Sequence, residues 1–251
     1  MAAAGRPSSR RACPAERKRS PMRIECRNIS YRYHAESEPI FENLSLCYDQ
    51  PGFHALFGPS GVGKTTLARI ICGEIQPAGG SVTTSRTEPI LYTYNLERLP
   101  DWATTGRHLE RVTPDGRAGL RESLVDIFDI RPCLDQRFGG LSLGQQNRVN
   151  LLRYLLQDFG FLIMDESLAN VDEKTRETII MHLKELFRDR MIIYISHNLV
   201  EVARFCRQIA VLRSVSKQPR IVRVTGQDLR LEGRPDRTAL EKTMLEMMNA
   251  A

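Results

Sequence analysis

A glycine-rich segment in the first quarter of the chain has the residue types and spacing of a phosphate-binding loop. It matches G-x-x-x-x-G-K-[ST] at every fixed position and reads Gly58-Pro59-Ser60-Gly61-Val62-Gly63-Lys64-Thr65, with Thr66 next in the same candidate site. Glycines let backbone N–H groups approach phosphate oxygens, and a helix that begins at the lysine adds its positive dipole end. We expect Lys64 to hold nucleotide phosphates and Thr65 to offer its hydroxyl to Mg²⁺. The alternative is a glycine-rich turn with a chance lysine.

Two acids follow an apolar run about a hundred residues later. The run Phe161-Leu-Ile-Met164 is typical of a buried strand, and Asp165 and Glu166 come directly after it. Because α/β folds bind ligands at the carboxyl edge of the sheet, we expect both acids to face the phosphates. Asp165 is predicted to position Mg²⁺ and Glu166 to polarise the attacking water. Acids after strands are also common helix caps, which is the alternative.

The elements that must position these residues alternate between strand and helix. An apolar run at 53–57 leads into the loop, and a helix is expected from Lys64 to about Ile75. Further on, the pattern predicts helices at 145–157, 173–188 and 199–205 and strands at 160–165, 191–195 and 208–213. Such alternation indicates βαβ units and a mostly parallel sheet.

The remaining segments are expected to flank this sheet. Runs at 23–33 and 40–48 alternate apolar and polar residues, which predicts antiparallel strands with one wet face. Residues 97–140 are Arg-rich and broken by prolines, and we interpret them as part of a small helical unit. After Ser214 the chain is polar and ends in an amphipathic helix from Ala239 to Met248.

A third motif resembles a known family. The segment Leu141-Ser142-Leu143-Gly144-Gln145 is similar to Leu-Ser-Gly-Gly-Gln, the signature of the ATP-binding cassette (ABC) family. The resemblance implies that Ser142 and Gly144 contact the γ-phosphate of ATP held by the opposite subunit and that Gln145 belongs to the same nucleotide site; a plain helix N-cap at Ser142 is the alternative. Leu143 replaces a glycine, so we expect restricted backbone freedom, crowding of the phosphate and weakened function.

Other positions extend this resemblance over residues 23–213. Tyr33 stands where the family has an aromatic that stacks on adenine, with Tyr31 as a rival. Asp172 matches the acid of the family's D-loop, and His197 matches the histidine that contacts the γ-phosphate. The family's glutamine that senses Mg²⁺ and contacts the membrane partner is missing. Asn95 is the nearest substitute, with a side chain shorter by one methylene.

The resemblance implies an α/β P-loop NTPase fold with an N-terminal antiparallel β subdomain and a small helical subdomain at about 97–157. It further implies an Mg-ATP hydrolysing subunit that works as a homodimer sandwiching ATP. Such a subunit energises separate transmembrane permease subunits at the cytoplasmic face of the inner membrane. Leu99-Pro-Asp-Trp102 is similar to a motif of nitrate, sulfonate and taurine importers. A soluble ABC ATPase of repair, translation or iron–sulfur assembly, and a weakly hydrolysing regulator, remain alternatives.

The distribution of charge along the chain gives information about binding partners. Residues 1–21 carry six basic residues and one acid, which accounts for five of the six net positive charges, so the rest of the chain gives no reason to expect nucleic acid. This segment contains almost no large apolar residue and is predicted to be a disordered leader, followed by one ABC ATPase domain at 22–251. The six cysteines form no CxxC pair, which suits reduced thiols. The longest apolar runs are too short to span a membrane.

Overall fold

A computed structural model describes residues 22–99 and 101–251 of the chain. The predicted leader at 1–21 lies outside the described residues. Nine strands are present in this part of the chain: β1 (Ile24–Tyr31), β2 (Phe41–Tyr48), β3 (Gly52–Phe57), β4 (Gly79–Thr84), β5 (Ile90–Tyr94), β6 (Phe161–Asp165), β7 (Met191–Ile195), β8 (Gln208–Leu212) and β9 (Ile221–Thr225).

Seven α-helices connect and cover the strands over the same described ranges. They are α1 (Lys64–Ile71), α2 (Thr105–Val112), α3 (Ala118–Ile127), α4 (Leu143–Leu155), α5 (Glu173–Leu186), α6 (Leu199–Phe205) and α7 (Arg237–Ala250). The helices α2, α3 and α4 all lie within the segment predicted to form the helical subdomain. No helix in residues 22–99 or 101–251 combines the length and apolar character needed to cross a membrane.

The central sheet confirms the predicted parallel architecture. Its strand order is β5-β6-β7-β3-β8-β9, and every neighbouring pair is parallel except β8 with β9. Every residue of β6 and β7 is buried, as expected for strands covered on both faces. The smaller sheet, β2-β1-β4, is antiparallel, which confirms the predicted N-terminal β subdomain.

Apolar residues fill the space on both faces of the central sheet. Alternate residues of β6 point to opposite sides: Leu162 and Met164 join a cluster with the helices α4, α5 and α6. Phe161 and Ile163 join a second cluster with α1 and the antiparallel sheet. This two-sided burial fixes the register of the strands, because a slip by one residue would exchange the two faces.

The end of α1 differs from the prediction. The helix stops at Ile71 and not near Ile75, because Gly73 adopts a left-handed φ of 79°. Its N–H donates to Ile70 O at 3.1 Å, and the N–H of Glu74 donates to Arg69 O at 2.9 Å. These are the two bonds of a Schellman ending, which satisfies the last carbonyls of the helix before Pro77 is reached.

Three strands were missed by the sequence patterns: β4, β9, and β5, which only the family resemblance implied. β4 is glycine-rich and mostly exposed, so it lacks an apolar signal. β9 lies in the segment that was predicted to be polar tail, and only Val224 of its five residues is buried. It extends the sheet as an antiparallel edge strand. The C-terminal helix was predicted from Ala239, and the observed α7 begins two residues earlier, at Arg237, because Asp236 caps it.

Candidate functional site

The glycine-rich loop joins β3 to α1 at the carboxyl edge of the central sheet. Gly63 caps α1 with a φ of 107°, and a Cβ at this position would lie 2.8 Å from side-chain atoms of Ile40 and Phe41. Only glycine fits this conformation and this space. The chain is thereby turned so that Lys64 and Thr65 open the helix, where free backbone N–H groups favour an anion.

Lys64 makes its hydrogen bonds within the loop. Its ammonium donates to Gly58 O at 2.8 Å and to Pro59 O at 2.9 Å. Burial lowers the pKa of Lys64, while Glu166 and Asp165 act in the opposite direction. No carboxylate within the described residues forms an ion pair with this ammonium at 4 Å or less. Its positive charge is therefore available to a phosphate.

One carboxylate oxygen of Asp165 accepts hydrogen bonds from two hydroxyl groups. Thr65 Oγ1 donates to Asp165 Oδ2 at 2.7 Å, and the Tyr92 hydroxyl donates to the same atom at 3.0 Å. The carboxylate is 6% exposed. Burial raises the pKa of Asp165, and the two hydroxyl donors oppose that rise. A buried, oriented carboxylate thus lies directly beside the phosphate-binding loop.

The donor set suits Mg²⁺. The hydroxyl of Thr65 and the carboxylate of Asp165 are hard oxygen ligands, and they lie within hydrogen-bonding distance of each other. In the part of the chain that the structure describes, no group of three or more His, Cys, Asp or Glu side chains is arranged to hold a metal. Mg²⁺ typically takes only one or two protein oxygens and completes its shell with phosphates and water.

Glu166 and His197 are already paired. His197 follows β7, and its Nδ1 donates to Glu166 Oε1 at 2.9 Å. Glu166 adopts a left-handed φ of 52°, and its N–H donates to Ile195 O at 3.0 Å. A non-glycine residue in this region costs about 1–3 kcal/mol and is often found at functional sites. The turn at Glu166 thus accompanies a carboxylate that is held by His197.

Tyr33 reaches the same loop from the antiparallel sheet. Its hydroxyl shares a hydrogen bond of 2.8 Å with Thr66 Oγ1, and its side chain is 57% exposed. Tyr31 packs edge-to-face on this ring, with 5.4 Å between centroids. Of the two candidate tyrosines, only Tyr33 is seen to form a hydrogen bond with α1, through Thr66. Its exposed ring offers a surface on which a base such as adenine can stack.

The signature segment begins α4. Ser142 caps the helix in a reciprocal arrangement with Gln145: the Gln145 N–H donates to Ser142 Oγ at 3.3 Å, and the Ser142 N–H donates to Gln145 Oε1 at 2.8 Å. The N-cap alternative is thus realised, and the contact with ATP stays a prediction. Leu143 is the first helical residue and is 51% exposed. Leucine adopts this helical conformation readily, and the expected crowding of the phosphate by Leu143 stays a prediction.

Gly144 and Asp172 organise the neighbouring loop. A Cβ on Gly144 would lie 2.3 Å from Asn170 O, so the backbone approaches α4 too closely for any side chain. Asp172 caps α5 by accepting the Thr175 N–H at 3.0 Å. That backbone hydrogen bond is the main cause of the lowered pKa of Asp172. The segment from Ser167 to Asp172 is therefore held against the signature helix.

Asn95 follows β5 and is tied to α4. Its Oδ1 accepts from Asn147 Nδ2 at 2.8 Å, and its N–H donates to Asp165 O at 3.1 Å. Asn147 also donates to Ala169 O at 2.6 Å and accepts the Leu96 N–H at 3.3 Å. The side chain of Asn95 is thus engaged by the signature helix, and no bond to Thr65 or Asp165 is made by it within the described residues.

The structure brings together most of the residues that the motifs predict, namely those of the loop with Tyr33, Asp165, Glu166 and His197. In contrast, no hydrogen bond or ion pair in residues 22–99 and 101–251 joins the loop to Ser142, Gly144 or Gln145. Sequence reasoning missed Tyr92 and Asn147. Tyr92 is separated from Asp165 by 73 residues, and only the parallel pairing of β5 with β6 reveals their contact.

Comparison with known proteins gives consistent matches. The sequence profile of the ABC transporter family matches residues 41–169. The chain is 32% identical over 213 residues to the molybdenum import ATP-binding protein ModC of Rhizobium etli, covering 76% of this chain and 58% of the relative. It is also 32% identical over 202 residues to the aliphatic sulfonates import ATP-binding protein SsuB 2 of Paraburkholderia xenovorans, covering 78% and 79%.

A solved structure shows the same fold. The bacterial Atm1-family ABC exporter with ATP bound matches with a TM-score of 0.70 at 20% identity, over 91% of this chain and 42% of that chain. The present chain spans little more than half the length of the molybdenum relative, but most of the sulfonate relative. The profile match and the loop, acid and signature residues agree on one conclusion: this chain belongs to the ABC transporter family.

Proposed function

We propose that this chain binds Mg-ATP and hydrolyses it as the ATP-binding subunit of an import system, within a dimer that sandwiches two ATP molecules. One observation carries the proposal: the Glu166–His197 pair lies at the same sheet edge as the Thr65–Asp165 pair and Lys64. A water-orienting carboxylate and a phosphate-holding loop are the two parts that phosphoryl transfer to water requires.

The loop residues hold the triphosphate. Lys64 exchanges its bonds to Gly58 O and Pro59 O for the β- and γ-phosphate oxygens, and the N–H groups at the start of α1 bind the same anion. Thr65 and Asp165 hold Mg²⁺, which neutralises charge on the phosphates when bound. The exposed ring of Tyr33 stacks on adenine, and its bond to Thr66 fixes the distance between base and loop.

Glu166 orients the attacking water. Its carboxylate accepts a proton of the water while the water oxygen approaches the γ-phosphorus in line with the leaving oxygen of ADP. His197 keeps Glu166 in place in the free protein and contacts the γ-phosphate once ATP is bound. The bond from phosphorus to water forms as the bond to ADP breaks, and the products are ADP and inorganic phosphate.

The signature segment completes a site on a second copy of the chain. Among the described residues, the Ser142 hydroxyl and the Gln145 side-chain amide donate no hydrogen bond, so these donors can serve the γ-phosphate of ATP on the facing subunit. Two copies related by a two-fold axis would each supply a loop and a signature, which gives two equivalent ATP sites. Asp172 lies after the loop that packs on Gly144 and belongs to this same face.

Two observations support a role in import: the kind of relatives that the chain matches and an exposed apolar surface near β5. Both relatives named above are import ATP-binding proteins, and together they favour an importer over the soluble alternatives. Large apolar side chains are exposed after β5, at Leu96 and Trp102. Such a patch suits the docking of a separate transmembrane permease subunit at the cytoplasmic face of the inner membrane. Residues 22–251 would act as one ABC ATPase domain with its helical subdomain at about 97–157.

The test separates binding from chemistry. Glu166→Gln keeps the shape of the side chain but removes the charge that attracts a proton, so turnover should fall by roughly 10²–10⁴-fold while ATP affinity is retained. The matched control is Glu246→Gln, which makes the same change on exposed α7 and should behave as wild type. Hydrolysis by Glu166→Gln at the wild-type rate would refute the proposed chemistry.

A further inference from the structure

Tyr92 donates its hydroxyl to the carboxylate that the family's chemistry assigns to Mg²⁺. The bond to Asp165 Oδ2 is 3.0 Å long, and the same oxygen accepts Thr65 Oγ1 at 2.7 Å. Tyr92 lies on β5, which runs parallel to β6, where it pairs with Ile163, two residues before Asp165. The side chain therefore reaches along the neighbouring strand to the end of β6.

The contact fixes the orientation of Asp165. Two donors converge on Oδ2, and no hydrogen bond to the other oxygen, Oδ1, is made by the residues that the structure describes. A carboxylate anchored through one oxygen cannot rotate without breaking both bonds, so Oδ1 keeps one direction. The carboxylate is almost fully buried, which excludes most of the water that would otherwise compete for Oδ2.

The ring of Tyr92 is itself held in place. It stacks on Tyr94 with 5.7 Å between centroids and 28° between planes. Both rings line a crevice of about 390 Å³ together with Thr65 and the ion pair Arg69–Glu74, whose atoms are 3.0 Å apart. The ring that carries the hydroxyl is thus also held by stacking on Tyr94.

We propose that Tyr92 is a positioning residue for metal binding: its hydroxyl holds Asp165 so that the carboxylate is ready for the Mg²⁺ that arrives with ATP. This inference rests on the proposed Mg-ATP function. Thr65 would also serve as a metal ligand in the Mg-ATP complex, whereas Tyr92, which is not a metal ligand, would keep its hydroxyl for Asp165 Oδ2. The residue acts through Asp165 and touches neither ATP nor the reacting atoms.

The test compares two tyrosines of one strand in the full chain. Tyr92→Phe removes the hydroxyl and keeps the stacked ring, whereas Tyr94→Phe, the matched control, removes the hydroxyl of the neighbouring ring. Binding of a fluorescent ATP analogue is measured in EDTA and during titration with Mg²⁺, and binding of Mn²⁺ in the presence of ATP is followed by electron paramagnetic resonance. Thermal melting confirms that each variant is folded.

Loss of one hydrogen bond to a charged group should raise the Mg²⁺ concentration at half-saturation about tenfold in Tyr92→Phe. Mn²⁺ binding should weaken equally, while affinity for ATP in EDTA and all properties of Tyr94→Phe stay as in wild type. An unchanged metal dependence, or an equal loss of ATP affinity with and without metal, would overturn the inference and leave the proposed function standing. Wild-type protein that binds no ATP would overturn both.

Discussion

The phosphate-binding edge and the signature segment use their polar groups differently. At the edge, hydrogen bonds cross between elements: Thr65 of α1 bonds to Asp165 of β6, and His197 after β7 bonds to Glu166 after β6. In the signature segment, Ser142 and Gln145 bond to each other within one turn of α4. The first region is assembled from several elements of the chain, whereas the capping bonds of the second lie within a single turn of helix.

The two regions are nevertheless connected. Asn147, one turn after the signature, bonds to Asn95 at the end of β5 and to Ala169 in the loop that follows Glu166. Its side chain is buried. A displacement of α4 would therefore move or break the bonds to Asn95 and Ala169, whose loops lie on either side of Glu166. The difference teaches that one chain assembles every residue of the proposed phosphate site, while its signature helix is tied to that site through Asn147 and, in the proposed dimer, would serve the facing subunit.

The largest effect is expected at the phosphate-binding edge. Lys64→Ala removes the one ammonium that the loop presents, so ATP affinity should fall by about 10²-fold or more, since a charge-assisted contact to phosphate is lost. Isothermal titration with Mg-ATP measures this. The matched control is Lys174→Ala, which removes an ammonium from an exposed position of α5. ATP affinity that survives in Lys64→Ala would contradict the assignment of the loop.

A mutation at Gly144 tests whether the signature helix is held by its own chain. In Gly144→Ala, the new methyl group would meet Asn170 O at 2.3 Å, so the loop must move. We expect a loss of about 1–3 kcal/mol in the free energy of unfolding, measured with urea, together with reduced turnover.

Gly119→Ala is the matched control for this prediction. It lies in α3 with no atom within 4 Å of the added methyl group. Here the substitution should stabilise the protein by about 0.5–1 kcal/mol, because alanine favours a helix over glycine. Equal effects of the two substitutions would show that the close approach at Gly144 has no energetic consequence.

The smallest effect is expected at Leu143. Leu143→Gly should lower the free energy of unfolding by only about 0.5–1 kcal/mol, since the residue is helical but half-exposed. If the leucine crowds the phosphate of the facing subunit, turnover should rise in the glycine variant. Steady-state ATPase measurements check this. A fall in turnover at unchanged ATP affinity would mean that the leucine contributes a favourable contact.

Local patterns predicted the parts of the fold that local chemistry determines. Strand β7 and helix α6 were predicted with the observed bounds because their signals lie within a few residues. The early end of α1 was missed because it depends on the left-handed conformation of Gly73. The edge strand β9 was missed because its alternation is mostly solvent-exposed and becomes meaningful only beside β8.

The candidate site shows the same difference between local signals, which the sequence revealed, and long-range contacts, which it did not. Motifs named Lys64, Asp165 and Glu166, but they gave no sign that Tyr92 would share an oxygen of Asp165 with Thr65. That contact depends on which strand neighbours β6, and strand order is a property of the whole chain. Likewise, the bond between Asn95 and Asn147 joins residues 52 positions apart. Non-local hydrogen bonds of this kind require the tertiary structure.

The most direct test of the account asks whether one active site needs two chains. Lys64→Ala lacks a working loop and Ser142→Arg lacks a working signature, so each variant alone should be inactive. Mixed in equal amounts, half of the dimers would hold one intact site formed by the loop of one chain and the signature of the other. The account predicts recovery of roughly a quarter of wild-type ATPase activity. Two folded, dimeric variants that recover no activity on mixing, or a Ser142→Arg variant that is fully active alone, would contradict it.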